Sequence, residues 1–131
     1  MKMTTENIPV AVGALLINEQ GQVLACHRRG ESDNLCLPGG KREEGETDEE
    51  ALVRELREET GLTPTKFEKI FNRWDGAGFF FLVYRVTEWY GDLKNEEGLL
   101  SGWVAPSDLL KECCSFRAYN RNLFLSLGIN I

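Results

Sequence analysis

The sequence predicts an α/β protein, a sandwich of helices about a mixed β-sheet. Two observations lead there. Strand-like and helical runs follow one another along the 131 residues in the order ββ-loop-α-ββ-β-α. The composition, 42% hydrophobic and 27% charged, is that of a globular chain with a core to bury.

The elements read as follows. Val10–Ile17 and Val23–Arg29, joined by Asn18-Glu19-Gln20-Gly21-Gln22, are expected to form a β-hairpin. Gly30 to Gly45 reads as a loop, because Ser32-Asp33-Asn34 and Pro38-Gly39-Gly40 are turn formers. Thr47 opens a helix: its hydroxyl can cap the first turn and Glu50, three residues on, can reach back. The helix runs to about Thr60, where Gly61 can take the left-handed position and Pro64 blocks continuation.

Lys66–Trp74 and Phe79–Thr87 read as a second hairpin about Asp75-Gly76-Ala77-Gly78. Trp89 to Gly98 is polar and loop-like, and Leu100–Ala105 is a short strand. After the turn at Pro106, Phe116, Tyr119, Leu123, Phe124 and Leu127 follow helical spacing, with Ser115 placed to cap. Length and the lack of any linker or repeat predict one domain over residues 1–131. A chain of that size buries roughly two-thirds of its unfolded surface.

Several classes are disfavoured at this level. No run approaches the ~18 apolar residues of a membrane span. Met1 to Pro9 lacks the apolar stretch of a signal peptide, so the expected compartment is the cytoplasm, with no membrane partner. Cys26, Cys36, Cys113 and Cys114 include no C-x-x-C pair and have only His27 to help them, so they read as small buried hydrophobes and not as a zinc site. Net charge is −6, and the segment Lys41–Glu59 alone holds nine acids against four bases. A nucleic-acid binder needs the opposite sign. Phosphates handled through that segment require divalent cations between them.

Within the helix, Glu55, Glu58 and Glu59 stand at i, i+3 and i+4 and share one face. Leu52, Val53 and Leu56 occupy the neighbouring arc and would dock on a sheet, while Glu50 and Arg57 supply the solvated side. The plain alternative is an acidic surface face. Carboxylates converging beside a core repel one another unless a cation joins them, and hard oxygen donors select Mg²⁺ or Mn²⁺ over zinc.

Gly40, Glu46, Arg54-Glu55-Leu56, Glu58-Glu59 and Gly61-Leu62 together match all nine defined positions of the Nudix box, which here spans residues 40–62. With Pro38-Gly39 ahead of it and Gly102-Trp103-Val104 after it, the chain resembles the Nudix hydrolases, most closely the MutT type of small nucleoside triphosphate pyrophosphohydrolase.

That resemblance implies an α/β/α sandwich and an enzyme that cuts the pyrophosphate link of a nucleoside diphosphate derivative with Mg²⁺, or Mn²⁺ in its place. By the same resemblance Glu55, Glu58 and Glu59 hold the metal, with the carbonyl of Gly39 and a later glutamate, Glu97 or its neighbour Glu96. Arg54 aims Glu58, Glu46 closes onto Arg54, and Glu55 or Glu58 acts as general base. Gly40 lets the backbone approach metal and phosphate.

The base-binding side would involve Arg28, Arg29, Leu37, Tyr119 and Asn120, whose carboxamide offers a donor and an acceptor to a base edge. Enzymes of this type for oxidised guanine carry an acidic neighbour beside such an Asn and an aromatic before Pro-Gly-Gly; Tyr119 and Leu37 stand there instead. Trp74, Phe79, Phe81 and Tyr84 read mainly as core. The expected partner is a small nucleotide, bound by a monomer or homodimer. An ADP-ribose or nucleotide-sugar hydrolase and a catalytically silent nucleotide-binding regulator remain as alternatives.

Overall fold

Val10–Leu15 (β1) is buried at every position, as suits a strand covered on both faces. In the computed structural model, which describes residues 9–28, 30–31, 33–74, 80–94 and 99–131, β1 runs parallel to Phe80–Tyr90 (β5) and antiparallel to Gly39–Lys41 (β3). Thr63–Trp74 (β4) closes the far side against β5, giving a mixed sheet in the order β3-β1-β5-β4. Val23–Arg28 (β2) pairs antiparallel with Leu99–Val104 (β6) in a second, two-stranded sheet.

The two-residue period of the strands divides the core into two layers. Val10, Val12, Ala14 and Leu16 join Leu82, Tyr84 and Val86 on one side, where Ala51, Leu52 and Leu56 of the helix Asp48–Thr60 (α1) cover them. Leu15, Val83 and Val23 face the other way, against Leu123 and Phe124 of the helix Arg117–Ser126 (α2) and Leu109 of a 3-10 helix, Pro106–Leu110. This is the mixed-sheet α/β sandwich the chain order predicts, with the α/β/α layering the resemblance implies.

The cap of α1 forms as expected. Thr47 Oγ1 accepts from Glu50 N at 3.1 Å, Glu50 Oε1 accepts from Thr47 N at 3.0 Å, and Gly61 ends the helix at φ 85°. The buried arc is Ala51, Leu52, Leu56 and Thr60, whereas Val53, expected to dock, is only half-buried. The β4–β5 hairpin is present and longer than expected: β4 begins at Thr63, and β5 continues through Trp89 and Tyr90. Residues 75–79 lie outside the described residues.

Three local expectations give way to tertiary contacts. The turn at Asn18–Gln22 forms and Ile17 bridges Val23, yet β1 and β2 do not make a hairpin ladder. Both edges of β1 are already taken, by β3 and β5, so β2 must find its partner elsewhere. The expected loop 30–45 contains β3, which occupies the edge of β1 that β2 does not pair with. Gly39 makes this possible: a Cβ there would lie 2.0 Å from Val12 O. Finally, Ser115 does not cap α2; its N–H and hydroxyl are engaged by Asn34. All four cysteines are free thiols, Cys26 and Cys114 buried as expected, Cys36 half-buried and Cys113 exposed. Among the described residues no helix is long and apolar enough to cross a membrane.

Candidate functional site

β3 is three residues long and lies between two chemically different regions. Its pairing with β1 leaves Gly39 and Lys41 turned outward, toward α1. Gly39 N–H donates to Glu59 Oε2 at 3.1 Å, and the Lys41 carbonyl accepts from Arg54 Nη2 at 3.1 Å. A strand residue presents its N–H and C=O to the same side, so the Gly39 carbonyl faces the carboxylates too. Gly40 is pressed against Glu55, whose carboxylate atoms would lie 2.5 to 2.7 Å from a Cβ at that position.

Arg54 organises the acidic side. Its fork takes Glu46 through two bonds, Nε to Oε2 at 2.6 Å and Nη2 to Oε1 at 2.9 Å. Nη1 reaches Glu55 at 3.0 Å and Glu58 at 3.3 Å. The expectation that Arg54 aims Glu58 therefore covers one of its longer contacts; Glu46 and Glu55 are held more closely, and Glu43 lies farther, at 3.7 Å. Glu46 in turn closes its own loop by accepting from Glu43 N at 3.0 Å. The Arg54 bond keeps the Glu46 carboxyl below its usual range.

The three box glutamates differ in environment. Glu55 is largely enclosed at 14% side-chain exposure, while Glu58 at 61% opens onto a wide cleft that Arg57 and Lys94 also line. Glu59 is the most perturbed: burial, reinforced by its hydrogen bond to Glu55 and opposed by Gly39 N–H, pushes it up to about 8. Cys26 Sγ also donates to Glu59, at 3.4 Å. The Cys26 thiol is itself held far above its ordinary range by its side-chain hydrogen bond with Cys36, by burial and by Glu59.

Among the described residues, no three His, Cys, Asp or Glu side chains close into a metal cage. The donor set nevertheless fits a hard divalent ion. Glu55 and Glu59 lie in side-chain hydrogen-bond contact, a pair of carboxylates that a cation would join, and the missing Cβ of Gly40 lets Glu55 lie against the β3 backbone. Glu97 and Glu96 lie outside the described residues.

On the other side of β3 is an apolar cavity of about 450 Å³. Ala11, Val12 and Gly13 of β1 and Phe81 and Val83 of β5 form its floor. Cys36, Leu37 and the β3 residues make one wall, and Phe116, Tyr119 and Asn120 the other. Leu37, Gly40, Tyr119 and Asn120 were expected to bind substrate and are brought together here. Arg28 ends β2, but its side chain, like all of Arg29, is outside the described residues.

Asn120 is 2% exposed and its Nδ2 has no hydrogen-bond partner among the described residues. A buried, unsatisfied amide costs about 1–3 kcal/mol, so it needs a reason to be there. Sequence reading missed Cys36 and Lys41 as lining and placed Phe81 mainly in the core. Phe81 was legible in principle, since it alternates with Val83 along β5. Phe81 packs on Tyr119 at 4.7 Å and Phe116 at 5.8 Å between centroids, leaving Phe116 at the rim, 42% exposed.

Comparison with known proteins agrees with this geometry. The NUDIX domain model matches residues 7–121. The chain is 33% identical over 106 residues to an 8-oxo-dGTP diphosphatase of Escherichia coli (strain K12), covering 76% of this chain and 81% of that one. A CTP pyrophosphohydrolase of the same organism is 32% identical, covering 78% and 80%. Among solved structures, a MutT from work on the Aliivibrio salmonicida and Vibrio cholerae proteins superposes with a TM-score of 0.73 at 27% identity, covering 90% of this chain and 98% of that one.

Proposed function

From the premise that the chain belongs to the NUDIX family and is a pyrophosphohydrolase, we propose that it hydrolyses a nucleoside triphosphate to the monophosphate and pyrophosphate in a Mg²⁺-dependent reaction, with Mn²⁺ as a substitute. The observation that carries this is the unpartnered Nδ2 of Asn120, buried in an aromatic cavity that shares β3 with the glutamate cluster. A base seated among Phe81, Phe116 and Tyr119 supplies the missing acceptor through a ring nitrogen or carbonyl oxygen. The cavity has the size of one base with its sugar. The phosphates of such a nucleotide run across Gly39 and Gly40 toward α1.

Glu55, Glu58, Glu59 and the Gly39 carbonyl would hold the metal. When bound, Mg²⁺ neutralises the diphosphate oxygens and lowers the pKa of a water it carries. The protein's own groups do the rest. Arg54 holds Glu55 beside Gly40 and restrains Glu58 at the cleft, so both carboxylates are kept in place without blocking the approach of phosphate. Glu58, the most exposed of the three, is free to take a proton from the attacking water. Glu46 locks the Arg54 fork from behind.

The relatives act, by their names, on 8-oxo-dGTP and on CTP. The decisive experiment is a panel of nucleoside triphosphates, ADP-ribose and nucleotide sugars with Mg²⁺ or with EDTA, assayed for pyrophosphate and orthophosphate. Pyrophosphate from triphosphates, abolished by EDTA, is expected. Faster cleavage of ADP-ribose or a nucleotide sugar would replace this substrate class, and a metal-loaded protein inert on the whole panel would make it a binding module.

A further inference from the structure

The walls of the cavity come from segments about eighty residues apart. Cys36 and Leu37 stand on one side, Phe116, Tyr119 and Asn120 on the other. β2 and the first wall are tied through the backbone pairing of Cys26 with Cys36, while α2 rests on the sheet mainly through apolar side chains, with one polar contact, the Tyr119 hydroxyl donating to Phe81 O at 3.5 Å. Apolar contacts resist separation well but tolerate sliding, because they have no direction. Directional contacts between the walls occur just outside the cavity. Asn34 Nδ2 donates to Ser115 Oγ at 2.9 Å, and Ser115 N–H donates to Asn34 Oδ1 at 2.9 Å. One residue before Asn34, Asp33 O accepts from the thiols of the two residues before Ser115, Cys113 at 2.9 Å and Cys114 at 3.5 Å.

The pairing of Asn34 with Ser115 overrides a local preference. Ser115 precedes Phe116 at the start of α2, where a serine hydroxyl ordinarily accepts from the helix's first N–H groups. Here both its polar groups are turned to Asn34, and the helix starts without a side-chain cap. Asn34 is itself held by a turn, its N–H donating to Glu31 O at 2.9 Å. A carboxamide used in both directions fixes distance and orientation at once, much as one rung of a β-ladder does.

We propose that Asn34 is a positioning residue for base selection: its reciprocal bond with Ser115 is a latch that sets how far α2 stands from the Cys36–Leu37 wall. It touches no substrate. It acts through Phe116 and Asn120, one and five residues beyond Ser115, by fixing where the Asn120 carboxamide meets the base. The inference rests on the reading of the cavity as the nucleoside site. With the latch intact a base of the wrong shape meets a wall that cannot yield; with it broken, α2 shifts and the cavity accepts both.

The test is kcat and KM for a set of triphosphates that differ only in base, measured on wild type, Asn34→Ala and Asn34→Asp, each checked for folding by thermal melting. The Asp carboxylate accepts from both Ser115 N–H and Ser115 Oγ–H, so it restores the latch. Comparing bases on one triphosphate cancels the effect of its added charge. Asn34→Ala should raise KM for the preferred nucleotide more than it lowers kcat, and reduce the preference ratio between best and worst base by about tenfold. Asn34→Asp should recover most of that ratio. An unchanged ratio in Asn34→Ala, or an Asn34→Asp variant no more selective than Asn34→Ala, overturns the latch. A wild type that ignores the base altogether overturns the nucleoside reading instead. If Asn34→Ala does not fold, Ser115→Ala removes one of the two bonds and should cost about threefold in the same ratio; no change there also sinks the proposal.

Discussion

The two sides of β3 are built on opposite principles. Toward α1, the polar groups are satisfied in advance: Arg54 is bonded to Glu46, Glu55, Glu58 and the Lys41 carbonyl, and Glu59 takes Gly39 N–H. Toward α2, aromatic and aliphatic side chains surround one amide that is left wanting. Under the proposed function, the difference follows from what each side would have to do. A catalytic carboxylate must stay put while charge is added and removed around it, which takes fixed partners. A recognition group must be free to bond the ligand, so the protein carries an unsatisfied donor until substrate arrives.

If the division holds, substitutions on the two sides should separate turnover from selectivity. The largest effect is expected from Glu58→Gln. It removes a charge from an exposed position, so melting should be almost unchanged while kcat falls by about 10³ for every base alike. Retention of more than about a tenth of the wild-type rate at saturating Mg²⁺ would take Glu58 out of the catalytic set.

Asn120→Leu should do the reverse. Replacing an unpartnered buried amide by an apolar group of similar size should raise stability by about 1 kcal/mol and cut base discrimination by roughly tenfold or more, with kcat moving least. A destabilised variant would mean that the amide has a structural partner after all, and unaltered selectivity would remove it from base recognition.

The smallest effect concerns pH. Glu59 binds its proton more tightly in the folded protein, at about 8 against an ordinary 4.5. Its contribution to the stability of the metal-free protein is therefore complete below about pH 4.5 and is lost as pH rises through about 8. Mg²⁺ competes with that proton, so the rise in Tm on adding Mg²⁺ should be larger by a few degrees at about pH 9 than at about pH 6. Glu59→Gln should abolish the difference. Equal Mg²⁺ shifts at both pH values in the wild type would show that the metal does not contact Glu59.

The acidic side was legible because it is nearly local. Thr47 and Glu50 start α1, Gly61 ends it, and 3.6-residue spacing alone puts Glu55, Glu58 and Glu59 on one face. The glutamates' unequal burial was not legible, since it depends on β3 and on Cys26 of β2. The register of residues 30–45 was read as loop because Pro38-Gly39-Gly40 is a turn sequence by local preference. Only the free edge of β1 turns it into a strand.

By itself, then, the sequence determined the order of elements apart from β3 and the 3-10 helix, the extent and caps of α1, the metal-binding chemistry expected of its carboxylates and the family it signals. These rest on contacts between residues a few positions apart, whose geometry the backbone period sets. Tertiary structure alone decided that β2 leaves β1 for β6, that Ser115 serves Asn34 and not its own helix, and that Phe81, Leu37 and Asn120 share one cavity. Those pairings join residues tens of positions apart, and strand edges and apolar faces of similar strength compete for each of them. Which partner wins is settled only when the whole core packs at once.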